Sequence, residues 1–445
     1  MLRQTTVKNG KVRGLPGNDP RITAYKGIPF AAPPVGDLRW KAPQPCADWD
    51  GILDAYQFGP ISVQDQPAVG TDIYCKEWHV DPDIPMGEDC LYLNVWTPAK
   101  STDEKLPVLL WIFGGGFQWG YTAEMEFNGE RLARRGIVVV SVNYRLAALG
   151  FLAHPDLTAE SPDAPANFGL LDQQAGLRWV KENIAAFGGD PDNITIAGQS
   201  AGGGSVLNQI TNEDNFGLIK GAVIMSGMIR FPGNEDDILL PVTLEKAEAK
   251  GKEFLDFLGV KSIEEARKLD AFFIRDKYGE WAQNHPRFAP VQDGVNYKCD
   301  SLINFEENKI NGIPVMAGYT IDEFPIGGTN IVEKTVKESC AKAAASGVSK
   351  IYAYEFGTDI PGEDNPGNFH SVDLWFWFDN VIKCWRPMRG RHFELARQMG
   401  NYLASFVKTH APNCLDDDGT QMPVWKTFGE DKNLMKFTSE GAVPS

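Results

Sequence analysis

Ile194-Thr-Ile-Ala-Gly-Gln-Ser-Ala-Gly-Gly-Gly-Ser-Val-Leu-Asn-Gln-Ile210 changes its period halfway along. Ile194 to Ala197 reads as a strand, and Gly203 to Ile210 can run as a helix. Between them Gly198-Gln199-Ser200-Ala201-Gly202 has room only for a sharp turn. A serine on such a strand-to-helix turn projects its hydroxyl beyond the edge of the sheet. Glycines are needed on either side because a side chain there would strike the neighbouring strand and helix. The N–H groups and positive dipole end of the following helix would lie beside any oxyanion formed at that hydroxyl. The plain alternative is a glycine-rich packing turn whose serine caps the helix.

Upstream, Leu177, Val180, Ile184 and Phe187 recur at intervals of three and four, which is one apolar helix stripe. Gly188-Gly189 stops that helix, and Asp190-Pro-Asp-Asn193 makes the turn into the strand. Val108–Phe113 and Ile137–Val142 are unbroken apolar runs of strand length, suited to strands covered on both faces. Ala222–Met225, Pro314–Ala317 and Ile351–Phe356 continue the series, and a helix near Phe393–Val407 follows. Strands alternating with helices predict an α/β fold with a mostly parallel central sheet flanked by helices. From about 230 to 310 helical patterns such as Leu244–Leu258 and Ile263–Phe273 come without intervening strands. The expected organisation is a single domain over residues 1–445 carrying a helical cap insertion.

Composition narrows the function classes. With 43 basic against 59 acidic residues, the net charge is −16 and no basic stretch offsets it. Nucleic acid would be repelled and an anionic membrane surface would attract nothing. No apolar run is long enough for a membrane span. The start, Met1 to Gly10, has no apolar core of signal-peptide length. The chain is therefore expected to stay inside the cell or to have lost a leader. The seven cysteines show no CxxC or Cys/His spacing for a metal. Cys75 and Cys90 could close a short loop, and the sequence leaves open whether they do.

Directly after the strand expected to end at Phe113 comes Gly114-Gly-Gly-Phe117. Consecutive glycines leave backbone N–H groups free to face a ligand, as a tetrahedral intermediate requires from donors about 3 Å from its oxygen. Gly115 and Gly116, with the N–H of Ala201, are the candidate oxyanion donors. A phosphate loop is the functional rival, but GxxxxGK[ST] is missing.

These motifs, with Tyr25–Gly36, Glu88–Trp96, Asn143–Leu146, Asn167–Gln173 and Phe187–Pro191, resemble the type-B carboxylesterase family along nearly the whole chain. That family includes cholinesterases, liver-type carboxylesterases, some fungal lipases and para-nitrobenzyl esterases, and it has the α/β-hydrolase fold. The resemblance implies a Ser-His-Glu triad of Ser200, His370 and Glu323, in the chain order of α/β-hydrolases. His370 lies in Gly367-Asn-Phe-His-Ser-Val-Asp-Leu374, which resembles the family's histidine loop. Glu323 lies in Gly318-Tyr-Thr-Ile-Asp-Glu-Phe324, similar to its Asp-Glu turn, with Asp322 as the alternative. Ser226 is either a supporting hydroxyl or a cap. The resemblance also implies ion pairs of Arg39 with Glu88 and Arg145 with Asp172. As exposed pairs these would be worth only about 0–1 kcal/mol.

Three departures from the family pattern bear on substrate. Gln199 replaces the usual glutamate before the serine, which weakens the case for a cationic ester. Phe113 replaces a histidine often found before the glycines. The stretch from Glu323 to His370 is short, which suggests an open site that admits a bulky ester. Phe113, Phe117, Trp119, Trp375 and Trp377 are candidate pocket aromatics, and an apolar cleft suits acyl or aryl esters, including feruloyl and other hydroxycinnamoyl esters. The expected chemistry is hydrolysis of a small-molecule ester through an acyl-enzyme, with no metal or organic cofactor. Activity should fall as pH drops through the ordinary imidazole range, about 6.5–7. A lipase, an amidase or a non-catalytic adhesion protein of the same fold are the alternatives, although the last would ordinarily lack a triad member.

Overall fold

The computed structural model describes residues 1–230, 242–429 and 431–445. Its framework is an eleven-stranded sheet. In chain order the strands are β1 (Leu15–Pro16), β2 (Thr23–Pro29), β3 (Tyr92–Thr97), β4 (Leu106–Ile112), β5 (Val138–Val142), β6 (Gly189–Gln199), β7 (Gly221–Met225), β8 (Val315–Thr320), β9 (Ile351–Gly357), β10 (Leu434–Thr438) and β11 (Gly441–Pro444). In space they run β11-β10-β9-β8-β7-β6-β4-β5-β3-β2-β1. Every neighbouring pair from β5 across to β10 is parallel. The outer pairs, β1 with β2, β2 with β3, β3 with β5, and β10 with β11, are antiparallel. All five residues of β5 and all five of β7 are buried, as expected of parallel strands covered on both faces. The fold is that of an α/β-hydrolase.

The expected central helices and strands are present, with boundaries moved by a few residues; Asp190–Asn193, expected as a turn, instead lies within β6, where the register against β4 shifts between Leu106 and Val108. The amphipathic helix is α1 (Phe168–Asn183), followed by a 3-10 turn, Ile184–Phe187, that ends at Gly188 with φ 76°. The helix after the serine is α2 (Ala201–Thr211), and the long helix near the C-terminus is α7 (Gly390–Thr409). Between β8 and β9 lies α6 (Ile331–Ala345).

Within 230–310 the chain forms α3 (Leu244–Leu258), α4 (Ile263–Arg267) and α5 (Ala271–Trp281). The first part of the expected insertion, 231–241, lies outside the described residues. Two expectations are corrected here. The stretch Ile263–Phe273 is two helices, because the Asp270 carboxylate accepts the N–H groups of Phe272 and Phe273 and starts a new one. The region also holds a strand pair, Val242–Thr243 parallel to Val291–Gln292. Asn167, at the start of α1, donates to the Val291 carbonyl and accepts its N–H, which fastens that pair to the main fold.

The two ion pairs are present and are not exposed. Arg39 and Glu88 make two hydrogen bonds, at 2.6 and 2.7 Å, with 6% and 13% of their side chains exposed. The Arg145 guanidinium makes two to Asp172 at 2.8 and 2.7 Å and the Arg145 backbone N–H a third at 3.0 Å, with 4% and 0% of the side chains exposed. Burial pushes the Asp172 carboxyl above its ordinary range, against the pull of the Arg145 guanidinium. All seven cysteines are free thiols; Cys75 Sγ lies against Asp72, and Cys90 is fully buried.

Candidate active site

Ser200 sits between β6 and α2 with φ 56° and ψ −127°, a conformation that only a strongly constrained turn imposes on a residue with a side chain. The flanking glycines show what constrains it. A Cβ on Gly198 would lie 2.3 Å from the Gly202 carbonyl oxygen, and one on Gly202 would lie 2.2 Å from that of Ile112. Strand, turn and the end of β4 are thus in backbone contact. The Ser200 N–H donates to the Met225 carbonyl on β7, and its own carbonyl accepts from Gly204. Its hydroxyl does not cap α2 and takes no hydrogen-bond partner among the described residues. The capping alternative therefore fails.

The glycine loop after β4 packs against this turn. A Cβ on Gly114 would lie 3.0 Å from Ser200 Cβ, so the loop and the serine are in direct contact. Gly115 and Gly116 have φ values of 105° and 61°, and a Cβ on Gly115 would lie 2.2 Å from the Trp119 carbonyl oxygen. Their N–H groups donate to no described backbone or side chain, and Ala201, as the first residue of α2, has no intrahelical acceptor. Three backbone donors in the serine turn and the loop packed against it thus have no acceptor among the described residues. Gln118 braces the loop, donating to the Phe288 carbonyl and accepting the Tyr278 hydroxyl of α5.

His370 and Glu323 meet although 47 residues separate them, His370 Nδ1 donating to Glu323 Oε2 at 2.5 Å. The carboxylate is 1% exposed, and its other oxygen accepts the Ser226 hydroxyl and the Thr320 N–H, both at 2.9 Å. Ser226 thus supports the carboxylate from the end of β7. Asp322 faces elsewhere: one of its oxygens accepts the Asn368 N–H and side-chain amide, fixing the base of the histidine loop. The other five histidines are committed locally. His79 pairs with Glu124, His154 caps a helix at Asp156, His285 stacks on Trp281, His392 bonds Arg389 and Asp359, and His410 meets Asn193.

With its proton on Nδ1, the imidazole presents a lone pair at Nε2. That lone pair faces the buried Gln199 amide, whose nitrogen lies 3.2 Å away. Behind the histidine loop, the Asp373 carboxylate accepts the Tyr354 hydroxyl and the Trp377 indole N–H. Burial first, and the nearby Glu323 charge second, push Asp373 up to about 7.

The expected pocket aromatics divide. Phe113, Trp375 and Trp377 are interior rings, at 1%, 0% and 0% exposure, and are corrected to core packing. Phe113 stacks on Tyr144 at 4.5 Å, Trp375 packs edge-on to Trp78 and donates to Glu77, and Trp377 packs on Tyr354 and Phe437. Phe117 is buried edge-on against Phe151, and Gly204 of α2 lies beside its ring. Trp119 is half-buried, bonded to Asp65 and covered by Arg287. Two contacts were not anticipated. Phe324, 37% exposed, lies 4.5 Å from the His370 ring, and the Tyr74 hydroxyl donates to the His370 carbonyl. Phe324 could have been found from its place directly after Glu323, but nothing local signals Tyr74.

The strained serine turn, the glycine loop against it and the carboxylate-bound histidine that meets Gln199 make up the candidate site of this α/β-hydrolase fold. Residues 2–342 match the carboxylesterase family, and the chain belongs to that family. Fumonisin B1 esterase of Sphingopyxis macrogoltabida is 35% identical over 355 residues, covering 76% of this chain and 59% of the relative. Para-nitrobenzyl esterase of Bacillus subtilis (strain 168) is 36% identical over 331 residues, covering 72% of this chain and 62% of the relative. The chain therefore spans about six-tenths of these curated relatives' length. Among solved structures, a PNB esterase superposes with a TM-score of 0.86 at 26% identity, covering 100% of this chain and 97% of the other.

Proposed function

We propose that the protein is a carboxylic-ester hydrolase in which Ser200 is the nucleophile, His370 the base and Glu323 its carboxylate. The observation that carries this reading is the His370–Glu323 contact, with Nε2 turned toward the serine turn. Imidazole Nε2 takes the Ser200 hydroxyl proton as Oγ bonds to the ester carbonyl carbon. The resulting oxyanion is held by the N–H groups of Gly115, Gly116 and Ala201. Collapse breaks the carbon–alkoxy bond, and the imidazolium returns its proton to the departing alcohol. Water repeats the sequence on the acyl-enzyme to release the acid and restore Ser200.

Support for an ester substrate comes from relatives named as esterases. The proposed substrates are bulky acyl or aryl esters, feruloyl and other hydroxycinnamoyl esters among them. Support for that is the partly exposed Phe324 ring 4.5 Å from the His370 ring, an apolar face at which an aromatic group can rest. We further propose that the helical segment within 230–310 is a cap on a single domain, its support being the bracing of Gln118 by Tyr278 and Phe288.

The test is labelling by a fluorophosphonate probe together with turnover of a panel of p-nitrophenyl, feruloyl and long-chain esters. Wild type should label and turn over, and Ser200→Ala should do neither. Labelling that survives Ser200→Ala would refute the nucleophile. Activity rising sharply only above a substrate's solubility limit would favour a lipase.

A further inference from the structure

We infer that Gln199 is a positioning residue that holds the base of the resting site through its lone pair; this deepens the proposed triad and rests on it. The chain of constraints runs from the carboxylate outward. Glu323 Oε2 can only accept, so the neutral imidazole must carry its proton on Nδ1. Nε2 is then an acceptor and needs a donor. Of the two ends of the Gln199 amide, the NH₂ end supplies one, at 3.2 Å. The amide oxygen points instead to the glycine loop, where it would lie 3.0 Å from a Cβ on Gly114. Gln199 is 2% exposed, so water does not compete strongly for this amide.

Two consequences follow. The lone pair that must receive the serine proton is occupied at rest, so the amide has to release it as Ser200 engages. A donor on Nε2 also stabilises the neutral imidazole over the imidazolium, because protonation there ends the hydrogen bond. A carboxylate in the same place would act in the opposite direction, drawing a proton onto Nε2. The other titratable or charged groups facing the histidine loop include Glu323, Asp322, Asp373, the Tyr74 and Tyr354 hydroxyls and the Arg386 guanidinium over Phe369. They are common to every variant below, so differences between variants report on residue 199 alone.

The experiment is kcat/KM for p-nitrophenyl acetate between pH 4.5 and 9 in wild type, Gln199→Glu and Gln199→Met. Fluorophosphonate labelling rates are measured over the same range, so a variant with slow turnover still yields a profile. Gln199→Glu should move the midpoint of the acid limb upward by about one pH unit or more, as an added negative charge at this distance does. Gln199→Met should move it the same way by less, since it removes a donor and adds no charge. A residue needed only for folding would lower the plateau and leave the limb in place. Acid limbs of both variants superimposing on wild type would overturn the inference. Failure of the triad itself has a different signature, namely activity that persists in Ser200→Ala.

Discussion

Replacing Glu323 with glutamine exchanges one carboxylate oxygen for an NH₂ group, and the surroundings dictate which one. Oε1 receives the Thr320 backbone N–H, which can only donate, and the Ser226 hydroxyl, both at 2.9 Å. The amide oxygen must occupy that position, so the NH₂ group is directed at His370 Nδ1, 2.5 Å from the present Oε2. A donor there makes Nδ1 an acceptor and moves the imidazole proton to Nε2. Nε2, the proposed base, then has no lone pair, and the Gln199 amide must present its oxygen instead. Loss of the correct tautomer with the geometry kept costs about 10⁴ in kcat when the same change is made in a serine protease triad. The expected outcome for Glu323→Gln is a fall of about 10³–10⁴ in kcat for p-nitrophenyl acetate, with a nearly unchanged urea midpoint. Asp322→Asn, next along the chain, should stay within a few-fold of wild type, since its remaining oxygen still accepts from Asn368. Retention of more than about a tenth of wild-type kcat in Glu323→Gln, or greater damage from Asp322→Asn, would rule out Glu323 as the carboxylate that sets the tautomer.

Two further predictions concern buried charge. Arg145→Met leaves the Asp172 carboxylate buried with its guanidinium gone, and should lower unfolding free energy by about 3–5 kcal/mol. The double variant Arg145→Met/Asp172→Leu should recover most of that, and a loss under about 1 kcal/mol in the single variant would mean the pair behaves as an exposed one. For Asp373, the folded value of about 7 lies well above the ordinary aspartate range, so between the two the native state holds a proton that the unfolded chain has released. Its contribution is therefore fully present below pH 4 and is lost as pH rises through 7, by an amount on the order of 4 kcal/mol. Asp373→Asn should gain stability relative to wild type across that window in urea titrations at successive pH values, and a pH-independent difference would count against the buried proton.

The strand–turn–helix around Ser200 was legible in the sequence because its constraint is local. Gly198 and Gly202 are required by backbone contacts within the turn and with the adjoining end of β4, so the pattern survives without knowledge of the rest of the fold. The parallel sheet was legible for a related reason: strands buried on both faces must be apolar at every position, as β5 and β7 are. Side-chain destinations were not legible in the same way. Neighbouring Asp322 and Glu323 differ in role only because one reaches Asn368 and the other His370. Trp375 and Trp377, so close to the histidine, turn into the core once the turn after His370 is folded, while Phe324 faces out beside the imidazole. Arg145 and Asp172 could be paired from the family pattern, but only packing reveals that water is excluded from them. The capture of the imidazole lone pair by Gln199 needs β6 and the histidine loop, 171 residues apart, to meet at hydrogen-bond distance. Periodicity and glycine placement record what each segment demands of its own backbone, whereas partners between distant segments exist only after the chain has closed on itself.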